Sequence, residues 1–283
     1  MSCSHCNDTG WRTRDVEGLR RVERCECWQI GVAREMLSHA RIPSRYRKCD
    51  FANFTTYPNE KLLRAVKKAK TFANAFPVVD KGLMFIGPPG IGKTHLAISV
   101  LREVASKGAR GVYYDTRSLL STIKSTFNPV TRASEADILR QVMDAELLVL
   151  DDLGAERLTD WVEETMNLIV NTRYNDRRPT VFTSNYEDVP DVSDLDALRV
   201  RVGFRMHSRL REMCEFLEFA GPDYRGFEYR PSDKDLARAL RSGSHTPKPL
   251  PKRTTVRARG RLREGHREGQ LELGWSGGKA GSS

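Results

Sequence analysis

At 283 residues the chain has room for one large or two modest domains, and 39% hydrophobic residues suffice for a globular core. No apolar run approaches the roughly 20 residues that a membrane span needs. The opening MSCSHCNDTG has neither an apolar signal core nor an Arg-rich amphipathic pattern, so a cytoplasmic protein is expected. The net charge of +10 is unevenly placed: residues 230–283 carry 13 Lys/Arg against 5 Asp/Glu, which leaves the body nearly neutral.

In a reducing compartment, six cysteines point to metal ligands or buried thiols rather than disulfides. Cys3, Cys6, Cys25 and Cys27 form C-x2-C and C-x-C pairs separated by an eighteen-residue loop. Two such pairs can wrap one tetrahedral Zn²⁺ in thiolate, with His5 or Cys49 as substitute ligands and free structural thiols as the alternative. The intervening segment has a Gly turn at Thr9-Gly10 and a short alternating stretch that predicts a hairpin. A module with so few core residues depends on its metal to fold. Trp28–His39 then reads as an amphipathic helix with Ile30, Ala33, Met36 and Leu37 on one face. Pro43 breaks it, and a domain boundary is expected between residues 40 and 50.

Residues 60–76 have helical periodicity, and Leu83 opens a strand that runs into Gly87-Pro88-Pro89-Gly90-Ile91-Gly92-Lys93-Thr94-His95. This is the phosphate-binding pattern G-x-x-x-x-G-K-[ST] between a strand and a helix. Its backbone N–H groups and the helix dipole receive a nucleotide's phosphates, Lys93 reaches the β and γ phosphates, and Thr94 holds Mg²⁺. Strands at 111–114, 147–150 and 179–183 alternate with helices at 118–127, 134–143 and 161–174. That alternation predicts an α/β fold, a P-loop NTPase core whose parallel sheet is covered by helices on both faces.

Asp151 and Asp152 stand at the C-terminal end of the 147–150 strand, where open α/β sheets bind ligands. One carboxylate orders Mg²⁺ and the other orients or deprotonates the attacking water. Asp151 is assigned to the metal and Asp152 to the water, with the reverse also open. Asn185 ends the next strand, a position that suits either a γ-phosphate contact or a simple turn. Residues 199–214 read as a basic helix, either a solvated or nucleic-acid-binding face or the carrier of an arginine finger for a neighbouring subunit. Phe216–Phe219 is the last strand, followed by GPDYRG. From Pro231 on, regular structure fades into a Gly/Pro/Arg-rich composition expected to be disordered, and such a tail can bind nucleic acid through phosphate neutralisation.

GPPGIGKTHLA, LLVLDDLGAE, TSN, SRL at 208–210 and GPDYR, in this order, resemble the AAA+ ATPases of the DnaC/DnaI helicase-loader type and their IstB transposition relatives. The resemblance spans roughly residues 45–230. The N-terminal cysteine pattern also resembles the zinc-containing, helicase-binding part of some loaders. The domains are therefore expected at 1–40 (zinc and partner module), 41–230 (AAA+ ATPase) and 231–283 (basic tail). The resemblance implies an oligomeric ATPase that places a replicative, DnaB-type helicase on single-stranded DNA. It implies Lys93 and Thr94 as the phosphate-loop pair, Asp151 and Asp152 as the acidic pair, and Asn185 as first sensor. It further implies Arg209 as arginine finger and Arg225 as a second sensor. Arg117, Lys124 and Arg132 are the candidate DNA contacts. Competing readings are a transposase helper on duplex DNA, a non-catalytic zinc and nucleic-acid binding protein, and a small-molecule P-loop kinase.

Overall fold

The computed structural model describes residues 3–16, 19–126, 134–191 and 193–246. The N-terminal module is an antiparallel hairpin, β1 (Trp11–Val16) and β2 (Leu19–Arg24), followed by α1 (Glu26–His39). The hairpin expected between the cysteine pairs is present. The helix begins two residues earlier than its apolar pattern suggested, which puts Cys25 at the N-cap and Cys27 in the first turn. The expected apolar face is only partly covered. Ile30 is 60% exposed, while α1 packs along α3 (Lys93–Ser106) of the core.

The core alternates α2 (Glu60–Ala75), β3 (Gly82–Ile86), α3, β4 (Gly111–Asp115), α4 (Thr116–Ser125), α5 (Glu135–Asp144), β5 (Leu147–Asp151), α6 (Asp160–Asn175) and β6 (Thr180–Ser184). It closes with α7 (Leu198–Val202), α8 (Phe204–Met213), β7 (Cys214–Glu218) and α9 (Asp233–Ser242). Side-chain caps fix several helix starts: Asn59, Asp115, Ser134 and Thr159 each accept a hydrogen bond from a backbone N–H of the turn that follows. The five core strands are all parallel, in the order β4-β5-β6-β3-β7. Every residue of β3, β5 and β6 is buried, as a sheet covered on both faces requires. One apolar cluster joins α2, α3 and Leu236 of α9 to one face, and a second joins α4, α5, α6, α7 and α8 to the other. The chain leaves β3 in one direction and returns on its other side, so a crevice opens at the C-terminal ends of β3 and β6.

Two segments differ from expectation. The single basic helix at 199–214 is two helices, α7 and α8, because Gly203 adopts φ +86° and ψ 147°, a conformation nearly restricted to glycine. The stretch after Pro231 is not irregular throughout: Asp233–Ser242 forms α9, which has a capping box in which Ser232 and Asp235 bond each other's backbone N–H groups. Its Leu236 and Ala239 are buried. The remaining residues read as tail, 247–283, lie outside the described part. Among the described residues no helix is long and apolar enough to cross a membrane.

Candidate nucleotide site

The loop from Gly87 to Thr94 joins β3 to α3, and the start of α3 leaves backbone N–H groups without helical partners. Lys93 is 6% exposed, and its ammonium donates to the carbonyls of Gly87 and Pro88 and to Asn185 Oδ1, each at 2.7 Å. Burial brings its pKa down to about 8, opposed by the nearby charges of Asp152 and Asp151. The lysine is therefore a desolvated cation held in place by its own loop.

Asp151 ends β5 and is 6% exposed. Three hydroxyls donate to its carboxylate: Thr94 at 2.9 Å, Thr183 at 2.6 Å and Tyr113 at 2.8 Å. Tyr113 stands on neighbouring β4, and its phenol pKa is pushed up by burial and by the Asp151 charge. Asp152 has φ +58°, the left-handed region, and its N–H donates to Thr183 Oγ1 at 2.9 Å. A non-glycine residue held there stores on the order of 1–3 kcal/mol of backbone strain. The turn swings Asp152 away from Asp151 and toward Asn185, whose Nδ2 donates to Asp152 Oδ1 at 2.5 Å. Burial, and then the Asp151 and Asp115 charges, raise the Asp152 pKa above the usual carboxylate value. Asn185 thus bridges the loop lysine and the second acid.

The turn after β7 lies against this loop. Tyr224 N–H donates to Gly90 O at 3.0 Å, and a side chain at Gly90 would collide with the Asp223 carboxylate. Arg225 sits at the rim, where its charge helps to lower the Lys93 pKa. Asp223 N–H donates to His245 O at 2.6 Å, and Phe227 stacks on the His245 ring at 4.1 Å.

Other predicted residues lie elsewhere. The His95 imidazole faces the Asp50 carbonyl at 3.1 Å and the edge of Phe54, so its side chain points toward residues 50–54. Pro88 and Pro89 have no N–H to offer a phosphate, and the Gly87 N–H donates to Ser184 O. Ile91 is buried in the core. Phosphate donors are therefore confined to the later part of the loop. Arg209 is outside the Lys93 network, on α8, where it lines a groove of about 530 Å³ with Asp160, Glu163, Glu164 and Arg205. Arg201 of the same basic stretch is structural, donating to Gly154 O and stacking on Tyr186. Arg117 is ion-paired to Glu156 at 2.6 Å, Lys124 is exposed in the last turn of α4, and Arg132 lies outside the described residues. Tyr113 and Thr183 were not singled out from sequence.

In the N-terminal module the four Sγ atoms of Cys3, Cys6, Cys25 and Cys27 lie within 4.8 Å of one another, and none forms a disulfide. Cys3 and Cys25 are 3.8 Å apart, and Cys6 and Cys27 3.2 Å. A tetrahedral tetrathiolate with Zn–S near 2.3 Å has S···S distances of about 3.8 Å, so the cluster fits that ion.

Comparison with known proteins agrees with this geometry. The family model of the IstB-like ATP binding protein matches residues 33–225. The chain belongs to this family of AAA+ ATPases, in its DnaC/DnaI branch. A crystal structure of the DnaC helicase loader is 34% identical with a TM-score of 0.55, covering 63% of this chain and all of that one. The DnaI structure, 21% identical with a TM-score of 0.52, covers 65% of this chain and 94% of its own and shows the shared fold. Among curated relatives, the replicative helicase loader DnaC of Escherichia coli (strain K12) is 26% identical over 166 residues. That match covers 59% of this chain and 64% of DnaC, so the chain spans just under two thirds of that relative. The loader of Buchnera aphidicola subsp. Baizongia pistaciae (strain Bp) is 28% identical over 176 residues, 62% of this chain and 68% of its own. Membership in this family of nucleotide-binding ATPases agrees with the loop and acid pair.

Proposed function

We propose that this protein hydrolyses ATP to time the placement of a replicative, DnaB-type helicase on single-stranded DNA. The observation that carries the reading is the network Thr94–Asp151 and Lys93–Asn185–Asp152, joined through Thr183, which gathers this chain's groups for holding a metal, binding phosphate and activating water. When bound, ATP with Mg²⁺ supplies the scissile bond and the Lewis acid. Thr94 and Asp151 are the pair that would hold the metal, because a hydroxyl and a buried carboxylate suit a hard cation. Lys93 neutralises phosphate charge. Asp152, with its raised pKa and its hydrogen bond from Asn185, takes the proton of the attacking water, and Asn185 orients that water. Arg209, outside its own chain's site, serves as the finger for an adjacent subunit in an oligomer, and Arg225 acts from the rim.

Cys3, Cys6, Cys25 and Cys27 hold Zn²⁺ and order residues 1–40 as the helicase-binding module, and Lys124 is the described residue best placed for DNA. The names of the curated relatives support the loader over the transposase helper. The test is ATP turnover with and without single-stranded DNA, together with capture of native partners by an Asp152→Asn variant loaded with ATP. Lys93→Ala is expected to reduce turnover at least about 100-fold, and the captured protein is expected to be a helicase. Recovery of a transposase, or unchanged turnover in Lys93→Ala, defeats the proposal.

A further inference from the structure

Among the described residues the hairpin β1–β2 has no third strand, and its described side chains are exposed or only partly covered. Its register places Trp11 opposite Arg24 and Thr13 opposite Val22 on one face, with Arg12 opposite Glu23 and Arg14 opposite Arg21 on the other. At the base of the first face, the Arg24 guanidinium lies 3.7 Å from the Trp11 ring centroid and 4.4 Å from that of Trp28. The two indoles therefore flank one cation, yet they remain 45% and 42% exposed. Gly10 permits this arrangement through its φ of +73°, a left-handed backbone that favours glycine.

The charge pattern on the other face is unusual. Arg12 is neutralised by Glu23 at 2.7 Å, but Arg14 and Arg21 face each other across the strands. Among the described residues neither has an acidic partner. Like charges directly opposite destabilise a strand pair, and an anion bound between them offsets that cost. Five arginines and three acids over residues 11–24 keep the hairpin net positive. Accessible aromatic rings on one face of a narrow two-stranded ribbon, and arginines that await an anion on the other, are the elements of a single-strand path around the hairpin's edge: bases stack on the rings and phosphates meet the guanidinium groups. Duplex bases are already stacked on each other and leave no face for an indole. A purely apolar protein partner would gain nothing from Arg14 and Arg21.

We propose that the hairpin, together with Trp28, binds single-stranded nucleic acid, Trp11 and Trp28 stacking unpaired bases and Arg14 with Arg21 gripping the backbone. This surface is separate from the nucleotide site and does not depend on it. The test uses the full-length, zinc-loaded protein without nucleotide. An oligothymidine carrying 5-iododeoxyuridine is photo-crosslinked and the attachment points are mapped by mass spectrometry, and crosslinks are expected within residues 11–28. In a second arm, affinity for oligothymidine is measured against salt for R14E/R21E, after unchanged zinc content and circular dichroism show that the module is folded. Two lost phosphate contacts lower the slope of log K against log salt by about 1.4. Trp11→Leu is expected to weaken binding roughly tenfold, with Trp11→Phe restoring most of the loss. Crosslinks confined to the core with an unchanged slope in R14E/R21E overturn the proposal. So does a variant that keeps oligothymidine binding but loses helicase capture, because the hairpin would then be a protein-docking surface.

Discussion

Between Cys3 and His39 the described residues bury only Cys6, Gly10 and Cys25, whereas in the sheet every residue of β3, β5 and β6 is buried. The module converges on four sulfur atoms and the core on two apolar layers. A two-stranded hairpin is marginal in water by itself, and the Zn²⁺ proposed for the four cysteines would supply what apolar burial does not. The core needs no such help, since about 25 cal/mol per Å² of buried apolar area accumulates over both faces of five strands. The difference shows where each kind of residue carries weight. In the module the chain converges on the four cysteines and most other described side chains are left exposed or partly covered. In the core the packed faces fix the shape, and function is confined to the strand ends.

Zinc removal is the largest expected break in this comparison. Structural zinc contributes on the order of 10–16 kcal/mol in small modules, so chelation or Cys25→Ser should abolish amide-exchange protection in residues 11–24 while the unfolding of the core barely moves. Hydrogen exchange with a parallel thermal melt checks this, and a core that melts together with the module contradicts it. Next is Phe85→Ala. Phe85 is fully buried and meets Phe219 edge-on at 5.4 Å, and its loss should cost about 3–5 kcal/mol in denaturant unfolding with zinc stoichiometry unchanged.

The smallest expected effect concerns Lys93, whose pKa in the free protein is lowered to about 8 by burial. Because the folded value lies below the unfolded one, the cost of carrying the charge is fully present at neutral pH and is relieved as pH rises through 8. Nucleotide phosphates favour the charged form, so binding above pH 8 should take up a proton, and affinity should fall by at most about tenfold per pH unit, or about 1.4 kcal/mol. Calorimetry at pH 9 in two buffers of different ionisation heat measures that proton. Its absence would mean that Lys93 stays charged in the empty site.

Much of the site was legible because its signals are local. The phosphate loop, Asp151-Asp152 and the C-x2-C pair are short runs whose chemistry follows from spacing. Tyr113 was not legible: its hydroxyl reaches Asp151 only because β4 lies beside β5 in parallel register, with Asp115 opposite Asp151, and nothing near Tyr113 in sequence announces that pairing. Thr183 was passed over for the neighbouring Asn185, although it both donates to Asp151 and accepts from Asp152. The break at Gly203 was hidden inside a run of arginines, because one glycine is a weak signal until its backbone angles are known. Helix α9 was missed for the opposite reason: the Gly/Pro/Arg composition of the chain end outweighed ten residues that carry their own capping box. Arg173 is the buried-polar counterpart. Its guanidinium spans the Thr180 hydroxyl and the carbonyls of Val142, Ala145 and Pro179, fastening α6 to the ends of β5 and β6, and its sequence neighbourhood reads as an ordinary exposed helix end.

The turn at 221–227 touches Gly90 through Tyr224 and grips His245 through Asp223 and Phe227. A shift of the phosphate loop as it fills would act on the turn that holds His245. Gly90 of the phosphate loop and His245, near the end of the described residues, are thus joined through one turn by only two hydrogen bonds.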